Sequence, residues 1–222
     1  LGSRSNEAIL AFEEPWLFEQ RLAFGFELFR RETDFNATTY NELRTGLEVY
    51  LRKRLFELVE GRISYRYEIV DIFDVSQLAP PSIVNLAGDD GEFDQSVSKV
   101  GLTLLRDTRD TLIYTSSGNR IQLSTEYAGG LLQGDTDYVK TELRYAHFLP
   151  TFDFPLEQTL SVVGRIGTAT PLGDNNRDGR ENDEDMPFFD RFFLGGPQSL
   201  RGFEFREVGE PDTRDPVTGE ML

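Results

Sequence analysis

Cysteine is absent from this chain of 222 residues, which removes disulfides, thiol nucleophiles and Cys-ligated zinc together and fits any redox compartment. Histidine is nearly absent too. The single one, His147, sits in the strand-like stretch RYAHFLP on its apolar side, and no G-x-S-x-G or other strained nucleophile turn accompanies it, so the sequence offers no catalytic triad. No apolar run approaches the length of a membrane-spanning helix, and Leu1-Gly2-Ser3-Arg4 does not open a signal peptide, so the chain reads as starting within a fold. Positive charge is scarce: 23 basic residues face 39 acidic ones, a net charge of −16, which excludes nucleic acid as a natural partner because phosphate affinity rests on Lys and Arg. Gly195-Gly196 lacks the helix and lysine of a phosphate loop, and the many carboxylate pairs mark solvated surface rather than acid–base chemistry.

What the sequence does contain is alternation of period 2, in segments of about 10 residues, longer than the usual globular strand. In RLAFGFELF, Leu22, Phe24, Phe26 and Leu28 share one face. Leu43, Thr45, Leu47, Val49 and Leu51 oppose Arg44, Gly46, Glu48, Tyr50 and Arg52, and Val59, Ile63, Tyr65, Tyr67 and Ile69 oppose Glu60, Arg62, Ser64, Arg66 and Glu68. Eight strands are predicted, at approximately 8–14, 21–31, 41–53, 58–73, 97–107, 119–128, 137–149 and 158–168, followed by a long loop over 169–222. No helix of useful length is predicted.

Two all-β architectures accommodate this pattern. A soluble sandwich buries the apolar face; a transmembrane antiparallel β-barrel turns it to lipid and encloses the charges. The connections favour the barrel, since compact PWLFEQ and KRLFE alternate with RETDFNATTY, DVSQLAPPSIVNLAGDDGEFDQ and the long stretch from Gly167 to Arg201. Aromatic residues gather at the compact rim, in Trp16, Phe18, Phe56, Phe148, Phe152 and Phe154, as half of a headgroup-level girdle. The acidic excess lies in connections: Asp74, Asp89, Asp90, Glu92 and Asp94 fall in one of them with no base among residues 74–97.

Two loop motifs carry possible chemistry. DNNRDGRENDED, residues 174–185, follows the calcium-loop template, with Asp174, Asn176, Asp178, the Arg180 carbonyl and Asp185 as oxygen donors and Gly179 at the sharp turn. Its flanks supply no helix pair, and a hydrophilic Asp/Asn loop that binds nothing is the plainer reading. Further on, FFLGGPQSLRGFEF sets Arg201 between Leu200 and Gly202, after Gly195-Gly196-Pro197 and among Phe192, Phe193, Phe203 and Phe205. A solvated loop arginine is the simple alternative to a functional one.

MPFFDRFFLGGPQSLRGF resembles the signature of the BamA-like outer-membrane assembly superfamily, in which an M-P-F-(Y/F) element leads through a Gly-Gly turn to (V/I)-R-G-(F/Y). Here that motif is Leu200-Arg201-Gly202-Phe203, with leucine in place of the β-branched residue. FEEPWLF is similar to the family's D-P-(Y/W)-F turn, and LLRDTRDTLIYTSSGNRIQLSTEYAGG to its D-x-R-D…P-T-x-G hairpin, with Thr115, Gly118 and Arg120 kept and the proline missing. The resemblance spans nearly the whole chain. It implies the fourth to eleventh strands of a 16-stranded barrel in a bacterial outer membrane, without the POTRA modules or the strands after the loop, and with the arginine loop folded into the lumen. It also implies a protein that is no enzyme and has no cofactor, that folds or translocates outer-membrane proteins without ATP, and that has lipid, unfolded clients and assembly lipoproteins as partners. Arg201 would then be a desolvated latch, with Gly202 permitting the turn and Phe203 packing beside it. A dedicated translocation barrel of the TamA-like or two-partner secretion kind, and a soluble acidic β-sandwich binding module, with or without calcium, are the alternatives.

Overall fold

The computed structural model describes residues 4–34, 40–75, 87, 91–152, 158–173, 185–195 and 199–203. Eight strands, β1 (Arg4–Glu14), β2 (Leu22–Asp34), β3 (Asn41–Phe56), β4 (Val59–Phe73), β5 (Phe93–Asp107), β6 (Gly118–Ala128), β7 (Tyr138–Phe152) and β8 (Gln158–Pro171), form one sheet in chain order. Every adjacent pair is antiparallel, from β1–β2 to β7–β8.

The register aligns the alternation predicted for single strands into rows across the sheet. Phe12, Phe26, Val49, Tyr65, Val100, Tyr127 and Val139 are successive cross-strand partners in one row of one face. Ala11, Glu27, Glu48, Arg66, Lys99, Ala128 and Tyr138 form the adjacent row on the other. Because a slip of one residue would exchange the faces, the patterning itself fixes this register. The apolar face stays exposed at Leu10, Phe12, Leu47, Ile63, Tyr67, Leu102, Leu143 and Ile166. Exposed apolar rows this extensive are intolerable in water and are the surface a bilayer requires. Strands of 11 to 16 residues are long enough, since about 9–11 tilted residues cross the hydrocarbon layer. Ladders between neighbours meanwhile satisfy the backbone groups that lipid cannot.

The opposite, inner face is ionic. Glu48 accepts from Arg62 at 2.5 Å and also pairs with Arg66, and Glu13 accepts from Tyr50 and Arg52, both at 2.5 Å. An apolar cluster lies at its long-loop end, where Tyr40, Val70, Ile72, Val97, Ala128, Tyr138, Met186 and Phe189 are buried together. A sandwich would need a second sheet over this face. Among the described residues every named strand belongs to the one sheet, and residues 185–195 form the cover instead.

Several strand ends differ from the sequence-based ones. β5 starts at Phe93 rather than 97, because Phe93–Ser96, at the end of the acidic connection, pairs with β4, and β1 starts at Arg4 rather than 8. β7 passes through Pro150 to Phe152, beyond the expected end at 149. Proline is tolerated there because β6 pairs with β7 only as far as Gly118↔Phe148, so no ladder bond on that side is lost, and the β7–β8 register shifts at the same place. The division of the rims into short and long connections is also uneven: residues 108–117, on the rim of the 57–58 turn, make a longer connection than that turn.

Candidate functional site

After β8 the chain returns to the inner face as Met186-Pro187-Phe188-Phe189-Asp190-Arg191-Phe192. Pro187, at φ −51°, leads into a single 3-10 turn, Phe188–Asp190, which directs alternate groups to the wall. Met186 and Phe189 enter the apolar cluster, and burial of side chains of this size stabilises docking by about 1.5–3 kcal/mol each. Phe188 meets Tyr40 and Phe93 edge-on, with ring centroids 5.5 and 5.9 Å away. Phe192 lies against Gly167, where a Cβ would come within 2.5 Å of its ring, and is flanked by the Lys140 ammonium at 4.7 Å and the Arg165 guanidinium at 5.3 Å. Glycine at 167 therefore makes the seat for this ring.

Asp190 is the polar centre. The Tyr138 hydroxyl donates to its Oδ2 at 2.5 Å, Arg44 Nη1 lies 3.4 Å from Oδ1, and Lys99 Nζ lies 3.6 Å from Oδ2. Lys140 Nζ donates to the Asp190 carbonyl at 2.7 Å, and Arg44 Nη2 to the Phe189 carbonyl at 2.9 Å. One loop residue and its neighbour thus join β3, β5 and β7. Fully buried Glu68 balances the same cations by ion pairs, 3.1 Å from Lys99 and 3.7 Å from Arg44, and Glu42 holds Arg44 at 2.5 Å. Charged groups are affordable in such a place only when each is paired.

Burial alone would raise the Asp190 pKa, but the charges of Lys99 and Arg44 and the hydrogen bond from Tyr138 outweigh it and hold the carboxyl well below the usual carboxylate range. A depressed folded-state pKa contributes stability that is fully present above the unfolded value, about 3.9, and is lost as pH falls towards the folded value. Resistance of the docked loop to an acid-active protease should accordingly be flat from neutral pH down to about 4 and decline only below it. A decline centred near pH 6 would contradict this electrostatic assignment.

The residues singled out by sequence fall in different places. Gly195 is buried with φ +104°, a left-handed conformation that favours glycine, and its carbonyl accepts from the Ser199 hydroxyl at 2.7 Å. Gly196 lies outside the described residues. Leu200, Arg201, Gly202 and Phe203 form an exposed turn, with Gly202 at φ +95°. Arg201 is exposed at this turn, and the partners expected of it as a latch lie outside the described residues. Asp174, Asn176, Asp178 and Arg180 lie outside the described residues; Asp185, the fifth proposed calcium donor, is buried at the start of the docked segment rather than on a solvent-facing loop. His147 lies in the outward row, its ring stacked on Tyr145 at 6.1 Å. Trp16, Phe18, Phe56 and Phe152 are exposed at the short-turn rim, whereas Phe148 belongs to the inner row and Phe154 lies outside the described residues. Asp190 and its partners were not singled out by sequence. The available signal was the position of Arg44, Lys99 and Lys140 on the inward parity of their strands, together with a lone carboxylate amid aromatics in MPFFDRFF.

A one-layer sheet with a lipid-facing apolar side, an ionic inner side and a loop docked on the latter defines part of a transmembrane β-barrel with an inward-folded loop. Residues 1–222 match the Omp85 superfamily domain, and the chain belongs to that superfamily. It is an outer-membrane β-barrel family of assembly factors, not of enzymes. The chain is 34% identical over 221 residues to a SAM50-like protein of Schizosaccharomyces pombe, an alignment covering 98% of this chain and 43% of that protein. It is 25% identical over 221 residues to the outer membrane protein assembly factor BamA of Nitratidesulfovibrio vulgaris, covering 100% of this chain and 25% of that one. The crystal structure of BamA from Haemophilus ducreyi lacking POTRA domains 1–3 superposes with a TM-score of 0.76 at 16% identity, over 92% of this chain and 39% of that one. The eight strands thus have the fold of a portion of the BamA barrel, and the chain spans less than half the length of these relatives.

Proposed function

We propose that the protein to which this chain belongs is an insertase that folds β-barrel proteins into an outer membrane, and that these eight strands are its rigid wall and the seat of its arginine loop. The observation that carries this reading is the docking of the 185–195 segment on the inner wall, which leads directly into Leu200-Arg201-Gly202-Phe203. In lipid an unpaired strand is intolerable, so a client strand needs a partner edge while it enters; a weakly closed seam and local bilayer thinning supply one without ATP. Such a seam needs a wall that does not yield, and the inward ion pairs and the Asp190 node supply the stiffness. Clients are unfolded outer-membrane proteins, with assembly lipoproteins as accessories and lipid as the surrounding partner.

Arg201 acts as a latch by charge-assisted hydrogen bonds to groups outside this wall, with the loop stem fixed at Asp190 and Gly202 allowing the turn. In the complete protein, Arg201→Ala is expected to slow client insertion and to expose the loop to protease. Unchanged rates for both would remove Arg201 from the mechanism.

The proposed host is a bacterial outer membrane. The 34% identity to a fungal SAM50-like protein favours a second reading, the mitochondrial outer membrane. The complete reading frame separates them, since the aligned region fills 43% of the fungal relative and only 25% of the bacterial one. A dedicated translocation barrel is distinguished by client range: an insertase accelerates unrelated β-barrel clients, a dedicated one accelerates a single client. Calcium binding at 174–185 would show as a calcium-dependent shift in melting.

A further inference from the structure

We propose that the tip of the 108–117 connection, Leu112-Ile113-Tyr114, is an interfacial anchor that inserts into the headgroup and acyl boundary of the leaflet at the short-turn rim. These three consecutive residues are 76%, 84% and 89% exposed, although they belong to a loop that is held rather than loose. Asp110 accepts from the amides of Thr111 at 2.8 Å and Ser116 at 3.1 Å and from the Ser116 hydroxyl. The Thr111 hydroxyl donates to the Tyr114 carbonyl at 2.6 Å, and the Thr115 hydroxyl to the Thr111 carbonyl at 2.7 Å. Arg109 grips Asp107 through two nitrogens, at 2.9 and 2.7 Å, and Gly118, at φ +103°, lets the chain close where a Cβ would come within 2.3 Å of the Thr108 carbonyl. The polar residues of DTRDTLIYTSSGN are thus consumed in building a frame, and the frame presents two aliphatic side chains and a tyrosine outward. A tip kept in water would gain nothing from such pre-organisation.

The occupant is lipid because of what surrounds the tip. The same rim exposes Trp16, Phe18, Phe56, Leu58 and Phe152, so the tip continues an aromatic and aliphatic girdle. Cations lie at the same rim: Arg21 beside the Trp16 ring at 5.8 Å and, on the outward parity of their strands, Lys53 across from Leu22 and Arg106, which donates to Asn119 at 2.8 Å. Cations just beyond an apolar band suit phosphate headgroups. The neighbouring hairpin also extends its outward apolar row through His147, Leu149, Val162 and Leu160, and its ladder runs on to Phe152↔Gln158, past the last β6–β7 pair at Gly118↔Phe148. The apolar wall therefore reaches beyond the start of the 108–117 connection.

These 222 residues hold no cysteine, so a reporter thiol placed among them is single once any cysteine elsewhere in the complete protein is replaced by serine. Ile113→Cys in the complete protein, labelled with an environment-sensitive fluorophore, would be reconstituted in phosphatidylcholine and phosphatidylglycerol vesicles, with Leu102→Cys as the lipid-wall reference and Glu92→Cys, exposed at the opposite rim, as the water reference. Lipids spin-labelled near the headgroup should quench the Ile113 label at least half as much as the Leu102 label, and iodide should quench it several-fold less than the Glu92 label. Iodide quenching equal to that at Glu92 would overturn the proposal, and so would shielding from iodide without quenching by lipid, which would mean cover by protein. Tyr114→Cys gives the same reading if the Ile113 variant does not fold.

Discussion

Replacing Asp190 by alanine is expected to free residues 185–195 from the inner wall while leaving the strand ladders in place. Removal of one partner from a buried ionic node costs about 3–5 kcal/mol, because the charges left behind have no compensation. Here Arg44 and Lys99 lose the carboxylate at 3.4 and 3.6 Å, and the Tyr138 hydroxyl loses its acceptor at 2.5 Å. Limited proteolysis of the complete protein in lipid should therefore cut within the loop some hundred- to thousand-fold faster, at about 1.4 kcal/mol per decade. Asp190→Asn, which keeps the size and one acceptor, should fall between the two. An alanine variant as resistant as the wild type would show that Met186, Phe189 and Phe192 hold the loop by packing alone.

The second large effect is expected at Gly46. A Cβ there would stand 2.4 Å from the Tyr67 carbonyl oxygen and 2.8 Å from the Glu68 Cα, both backbone atoms that cannot step aside. Gly46→Ala forces β3 away from β4 beside the point where Glu68 must lie between Arg44 and Lys99. Overpacking of this kind costs about 1–3 kcal/mol, and it should appear as a lower urea midpoint for unfolding of the protein in lipid, with protease sensitivity at the loop following it. Gly164, with nothing within 4 Å of its Cβ position, is the control: Gly164→Ala should stay within about 0.5 kcal/mol of the wild type. Equal midpoints for the two alanine variants would mean that β3 and β4 are not so closely apposed.

The sheet was legible because its period is simple. Alternation in RLAFGFELF, NELRTGLEVYLRK and VEGRISYRYEI already separates Phe26, Val49 and Tyr65 from Glu27, Glu48 and Arg66, and the register then only aligns what each strand has sorted. Phe93–Ser96 and the approach to Pro150 were not legible as strand, since their place is determined by the partners across the ladder rather than by their own pattern. The loop motif around Arg201 could be read from its residues, but its exposure could not. Asp190 escaped notice for a different reason: its partners Arg44, Lys99, Tyr138 and Lys140 lie on three strands far apart in sequence, and only the stagger of the sheet brings them within reach of one carboxylate.

The account's central claim is that this wall and its docked loop belong to a machine that folds other β-barrels. The most direct measurement is the rate at which an unfolded β-barrel client acquires heat-resistant, protease-protected structure in vesicles containing the complete protein, in nucleotide-free buffer. The account predicts folding well above the rate in empty vesicles, and a clear loss of that acceleration with Asp190→Ala. A complete protein that is itself folded in the bilayer, yet leaves client folding at the empty-vesicle rate, would contradict it.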